Sequence, residues 1–354
     1  MSSTGARGVP RGVPLAVVTR GGLVESVHRG SLAVVTEGGS LLASAGDPRR
    51  PVWLRSSAKP FQLVPLLAGG GERRFALSTG AIALAAASHS GERRHTRLVA
   101  AMLREGGFTA DDLHCGAHPP MHVPSARALV RSGDEPSPLH NNCSGKHAAM
   151  LLACRLYGLD PRGYWRPEHP LQERILAVVA RTTGVPPSRI PRGVDGCSVP
   201  VFRVPLRALA LGYARLFASR IPGESPEEAA ARLRIASAMA AAPGMVAGTG
   251  RFTTFLMRAY GGGLVAKEGA EGVYAVGVPR RGGGAVGIAL KIDDGSERAR
   301  DAIVVEALRQ TGLAAGARLR RLRRFADRPV RNVLGDVVGT VKTVFRLGPT
   351  REGV

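Results

Sequence analysis

Short β-branched apolar runs stand at both ends of this chain, and helical patterns fill the middle, so strands far apart in sequence must meet in one sheet. Residues 15–19 and 31–36 are two such runs, joined by a turn-rich segment around Gly21 and Gly22. Residues 263–266, 273–278 and 285–292 alternate with glycine-rich breaks, the pattern of an antiparallel meander. Between them, helical spacing runs over 60–67, 94–105, 146–157, 171–182, 206–218 and 226–241, and a last helix is expected near 297–310. The prediction is a mixed α/β (α+β) fold: an antiparallel sheet built from N- and C-terminal strands, flanked by helices, with a helical lobe at about 94–241. The stretches 118–124 and 282–284 read as loops, and no internal repeat is visible. The expected organisation is a flexible tail over 1–13, one domain over 14–312 and an arginine-rich extension over 313–354.

With 354 residues, 44% of them hydrophobic, the chain can bury a substantial core. Its apolar runs fall far short of the ~20 residues that cross a bilayer. Residues 1–14 lack an apolar signal region, and four cysteines are too few for a disulfide framework, so a reducing cytoplasm is expected. The net charge of +22 invites a nucleic-acid reading. Only 5% of residues are aromatic, however, and the dense basic run over 318–331 matches no nucleic-acid module and reads as a solvated face. Neither nucleic acid nor membrane is the expected partner.

Only five of the 49 basic residues are lysine: Lys59, Lys146, Lys267, Lys291 and Lys342. Arginine cannot deprotonate in a protein, whereas a buried lysine can become a neutral base or ligand. Lys291 and Lys342 read as surface residues; the other three fall in motifs. In Ser56-Ser57-Ala58-Lys59 the serine and lysine share one face of a helical turn, which suits a hydroxyl activated by an amine. Ala87-Ser88-His89-Ser90-Gly91-Glu92 ends an alanine-rich stretch and by itself reads as helix capping. Asn141-Asn142-Cys143-Ser144-Gly145-Lys146-His147 has the Gly-Lys of a phosphate loop but not its other positions. What remains is a thiol and an amine three apart. Gly193-Val194-Asp195-Gly196-Cys197-Ser198 adds a second thiol and a carboxylate, and Cys143, Lys146 and Cys197 could share one ion with a fourth place open. A weaker metal-like cluster is His114, Cys115, His118 and His122, while Cys154 reads as core. Lys267 ends a strand-like run before a tight turn, where a second cation would depress the pKa of Lys59.

Taken together, these segments resemble the rhizobial-type L-asparaginases, the class 3 or asparaginase II family. The resemblance runs from Glu25-Ser26-Val27-His28-Arg29-Gly30 through 55–62, 87–92, 141–149, 194–200 and 245–274, and covers nearly all of 14–312. It implies a fold akin to serine β-lactamases and glutaminases, and hydrolysis of L-asparagine by two Ser-Lys tandems, Ser56 with Lys59 and Ser88 with Lys267. It further implies zinc at Cys143, Lys146 and Cys197, and substrate positioning by Arg55, His147 and Asp195. A homodimer is expected. One departure is Thr253, where many relatives carry aspartate.

The expected reaction is a two-step acyl transfer. Ser56 attacks the side-chain amide while neutral Lys59 takes its proton, and Ser88 and Lys267 relay protons or tune Lys59. Asp195 opposes the discharge of Lys59, and zinc orients the substrate rather than making the nucleophile. The enzymatic rival is a glutaminase or another Ser-Lys amidohydrolase; the absence of a Lys-Thr-Gly triplet argues against a penicillin-recognising one. The non-enzymatic rival is a basic nucleic-acid-associated protein with a vestigial site.

Overall fold

The computed structural model describes residues 12–349 except 281; the tail expected over 1–13 lies almost wholly outside them. Strands β1 (Val13–Arg20) and β2 (Leu23–Thr36) form a hairpin. Its two turn residues are Gly21 and Gly22, with φ of 55° and 87°, the left-handed backbone that a tight hairpin turn requires. Beyond β3 (Leu41–Ala45) a small second sheet, in the order β4-β6-β5, comprises β4 (Pro51–Trp53), β5 (Arg192–Val194) and β6 (Pro200–Pro205). Near the C-terminal end, β7 (Val265–Gly269), β8 (Val273–Pro279) and β9 (Ala285–Ile292) form the expected meander, and β9 pairs antiparallel with β2 from Gly30↔Ile292 to Thr36↔Val286. The two ends of the chain thus meet at the centre of one antiparallel sheet, as the strand pattern predicts.

Helix Leu206–Arg215 lies across this sheet, and two strand glycines set how closely. A Cβ on Gly287 would stand 1.8 Å from the Ala210 carbonyl oxygen, and one on Gly277 2.3 Å from that of Tyr213. Helix backbone and sheet backbone therefore touch where side chains would normally separate them. The helical lobe centres on Lys59–Ala68, buried through Leu67 and packed by Ser144–Tyr157, Pro170–Thr183 and Pro226–Ala241. Pro226–Ala241 is tied in by Arg232, whose guanidinium forks onto Glu224 at 2.7 and 2.8 Å with both side chains buried.

Residues set apart in sequence as an arginine-rich extension join the main sheet. Helix Gly316–Ala326 packs on helices Arg300–Gln310 and Phe252–Ala259, β10 (Arg328–Arg331) pairs with β11 (Val337–Thr343), and β11 pairs with β1. Leu322 and Val341 are the buried apolar anchors of this segment, while its arginines stay outside. Among the described residues no helix is long and apolar enough to cross a membrane.

Candidate active site

Strand β4 leads through Leu54 into a 3₁₀ turn, Arg55–Ala58, that runs directly into helix Lys59–Ala68. Arg55 enters the turn at φ 49°, a left-handed conformation that costs a non-glycine residue about 1–2 kcal/mol. Ser57 donates to the Leu54 carbonyl at 2.5 Å and is spent on the turn. Ser56 is half-buried and lines a pocket of about 270 Å³; its hydroxyl has no hydrogen-bond partner among the described residues.

Ser88 is held on the same pocket from a different direction. Its N–H donates to Val246, and Glu92 accepts from the backbone and hydroxyl of Thr249, so segment 88–92 is fastened to the 246–249 loop. Gly248, at φ 114°, permits the approach, since a Cβ there would meet Ser90 Oγ at 2.4 Å. Two buried amines converge on Ser88 Oγ: Lys59 Nζ at 2.9 Å and Lys267 Nζ at 2.8 Å. Lys59 also donates to the carbonyls of Ala87 at 2.5 Å and Asn142 at 3.4 Å, three acceptors in all, which suits an ammonium with three protons. Lys267 has one further acceptor, the Glu268 carbonyl at 2.8 Å. Burial, and then the neighbouring Lys59 charge, push the Lys267 amine well below its ordinary range, with Glu268 opposing. Lys267 is thus the amine whose surroundings disfavour its charge, while Lys59 finds carbonyls from two other segments. Ser88 Oγ accepts from both amines.

The pocket walls carry two arginine–carboxylate pairs. Arg55 Nε bonds Asp195 Oδ1 at 2.8 Å, and the Gly196 N–H fixes the same oxygen at 2.8 Å. Arg251 Nη2 bonds Glu268 Oε1 at 2.6 Å. Burial works against the Glu268 charge, but Arg251, Lys267 and Arg300 overcome it and hold the carboxyl below its ordinary range. Arg251 and Glu268 lay within quoted motifs, yet neither drew notice in the sequence because no spacing rule joins residues 17 apart. Thr253, the departure noted above, is buried with its hydroxyl 2.9 Å from the Tyr274 hydroxyl and 3.4 Å from Glu268 Oε2. An aspartate there would set a second carboxylate against Glu268; threonine offers it a donor.

Cys143, Lys146 and Cys197 come together on the pocket floor. Lys146 Nζ lies 2.9 Å from Cys197 Sγ, and Cys143 Sγ donates to Asn142 Oδ1 at 3.1 Å. The nearby Lys59 and Lys146 charges favour a thiolate at this pair of sulfurs, against their burial. Burial alone would discharge Lys146, and the two sulfurs reverse this. Two soft sulfurs and a neighbouring amine, with Cys143 and Cys197 lining the pocket, are a donor set that fits zinc once their protons are lost. No group of three His, Cys, Asp or Glu side chains gathers as a metal site among the described residues. In the 114–122 segment, Cys115 is directed to the Pro138 carbonyl, and His118 instead accepts from the Asn142 N–H at 3.0 Å, which steadies the carbonyl that Lys59 uses. His147 does not line the pocket. It is buried and neutral, with Nδ1 on the Tyr164 hydroxyl at 2.7 Å and Nε2 without a well-formed hydrogen bond.

Solved structures similar to this chain include "Mglu in its native form", at 18% identity over 80% of this chain and 63% of that one, with a TM-score of 0.37. "Mglu in its glutamate form" matches at 19% identity over 80% and 60%, with a TM-score of 0.36. The chain thus spans less than two thirds of the length of these solved chains, and similarity this faint says nothing of substrate. No curated protein matches it. The model of the L-asparaginase II family matches residues 16–343, nearly the whole chain, and the protein belongs to that family of amidohydrolases.

Proposed function

We propose that the enzyme hydrolyses L-asparagine to L-aspartate and ammonia through a serine ester. The observation that carries this reading is the single hydroxyl of Ser88 hydrogen-bonded to two buried lysines, one with three acceptors and one whose burial disfavours its charge. Such a trio holds one mobile proton. Lys267 takes the Ser88 proton, Ser88 takes one from Lys59, and neutral Lys59 then receives the proton of Ser56 as its oxygen attacks the amide carbon. Reversal of the chain delivers a proton to the leaving nitrogen, ammonia departs, and water cleaves the ester by the same route. Arg55 suits the substrate α-carboxylate and Asp195 its ammonium, since each keeps capacity beyond their mutual bond. Zinc bound by Cys143, Lys146 and Cys197 would supply a Lewis-acid contact that orients the substrate, because thiolate ligands damp the acidity of any water it holds.

A second reading is favoured by the Ser88–Lys267 bond itself: Ser88 attacks directly and the Lys59 ammonium stabilises its alkoxide. Ammonia release from asparagine, glutamine and a β-lactam by one preparation tests the substrate; turnover of glutamine alone would replace asparagine with glutamine in this proposal. Acid-quenched turnover followed by peptide mass spectrometry separates the serines, since the aspartyl ester marks the Ser56 peptide in the first reading and the Ser88 peptide in the second.

A further inference from the structure

The reaction pocket shares one of its walls with a second cavity. Arg251 and Glu297 line it and also line an adjoining cavity of about 340 Å³. The other charged groups of that cavity are Arg300, Asp301, Arg324 and Arg328, so four arginines face two acids. Arg300 is committed to its neighbours, with Glu297 at 2.8 Å, Asp301 at 3.1 Å and Glu268 at 3.6 Å. Arg251 is not fully engaged: Nη2 is held by Glu268 at 2.6 Å, but Nη1 meets only the Met121 sulfur at 3.9 Å, a weak acceptor. Arg324 packs over Phe255 at 3.6 Å and Arg328 reaches Asp301 only at 3.9 Å, both from exposed positions. The cavity is basic and shares Arg251 with the reaction pocket, on whose side the loosely held Nη1 faces Met121.

Its position relative to the chemistry is equally specific. Arg251 is anchored by Glu268, the residue after Lys267, whose amine bonds Ser88. The Arg55–Asp195 pair stands on other elements, the turn after β4 and the loop between β5 and β6, and is sufficient for an α-amino-acid head. An amide whose nitrogen carries only hydrogens has no use for a second arginine beside the proton-handling lysine. An amide whose nitrogen carries a carboxylate-bearing group does.

We propose that the adjoining cavity is a leaving-group subsite and that the enzyme also cleaves β-aspartyl peptides, side-chain amides in which the nitrogen belongs to a second α-amino acid. The inference rests on the asparagine reading, because it uses the same attack. The serine oxygen bonds to the β-carbonyl carbon, the C–N bond breaks, and the amino acid departs as its nitrogen takes the proton from the lysine relay. Water then hydrolyses the ester to aspartate, so one peptide and one water give two amino acids. The departing carboxylate is held by Arg251, with Arg324 and Arg328 raising the local potential.

The test is kinetic, on the full chain, with asparagine, β-aspartyl-glycine and its neutral counterpart β-aspartyl-glycinamide. The wild type should release glycine from β-aspartyl-glycine and should prefer it to the glycinamide by about tenfold or more in kcat/KM. In Arg251→Gln the ratio of kcat/KM for β-aspartyl-glycine to that for asparagine should fall about tenfold or more, and the preference over the glycinamide should vanish. Turnover of asparagine with none of β-aspartyl-glycine overturns the subsite alone. Cleavage of the peptide without asparagine turnover overturns the asparagine reading alone, and activity on neither overturns both. An Arg251→Gln enzyme with an unchanged ratio overturns the assignment of Arg251, and a wild type indifferent to the carboxylate overturns the subsite.

Discussion

Ser88 bridges two buried amines, and this makes the single-residue variants informative. Ser88→Ala removes the bridge between Lys59 and Lys267 and should lower kcat by roughly 10³–10⁶, as removals from a jointly acting unit do. Ser56→Ala should do the same in the relay reading and leave substantial kcat if Ser88 attacks directly. Lys59→Arg should be inactive at every pH, since a guanidinium cannot give up its proton. Lys267 makes a prediction about stability as well. Its folded pKa is depressed, whereas in the unfolded chain a lysine titrates near ~10.4. Between those two values the unfolded state binds a proton that the folded state does not, so Lys267 costs stability there, and the cost fades as pH rises to the unfolded pKa. Lys267→Met should therefore raise Tm at pH 7 while abolishing turnover, with the gain in Tm shrinking towards pH 10. A variant that lowers Tm equally at both pH values would mean that Lys267 is a charged, paired group. The groups facing it are Lys59, Arg251 and Cys143 on the pocket side and its neighbour Glu268.

Elements carry the site because several separate segments deliver it, and the sequence discloses some of these better than others. The Ser56–Lys59 spacing puts both residues in consecutive turns but does not set the direction of the amine, which bonds Ser88 and the carbonyls of Ala87 and Asn142 from elsewhere in the fold. The central strands β1, β2, β7, β8 and β9 were legible because β-branched runs bounded by glycine have few other uses. Several helices were not, two of them for plain physical reasons. Phe252–Ala259 is rich in β-branched and aromatic residues that favour strand, and becomes helical against β7 and Gly316–Ala326. Val123–Ser132 begins with a proline that reads as loop, though at the first turn proline starts a helix. Two element-scale measurements follow. Zinc analysis of protein purified without chelator should show loss of about one equivalent in Cys143→Ser/Cys197→Ser, and equal metal in both would place the ion elsewhere. Arg232→Met, which strands a buried Glu224 carboxylate, should destabilise by about 3–5 kcal/mol in urea unfolding without altering KM, because the pair lies outside the pocket.

At the scale of the whole molecule, the arginine-rich C-terminal segment is structural where it meets β1 and polar where it meets water. Truncation after Gly312 removes β11 from the sheet together with the buried Leu322, Val341 and Phe345, and should yield a protein with lower Tm and poorer solubility rather than a trimmed but equivalent enzyme. The opposite result, an unchanged melting curve, would make the segment an appendage. The central pairing of β2 with β9 bears on how such a chain is made. Residue 35 of β2 meets residue 287 of β9, so the inner strand of the sheet leaves the ribosome some 250 residues before its partner. At about 5–20 residues per second, that is an interval of roughly 12–50 s. Throughout it, β2 offers one unpaired apolar edge, a template for association with other nascent chains. Slower growth temperatures and abundant holdase chaperones should therefore raise the soluble yield of this enzyme more than any stabilising change in its finished core.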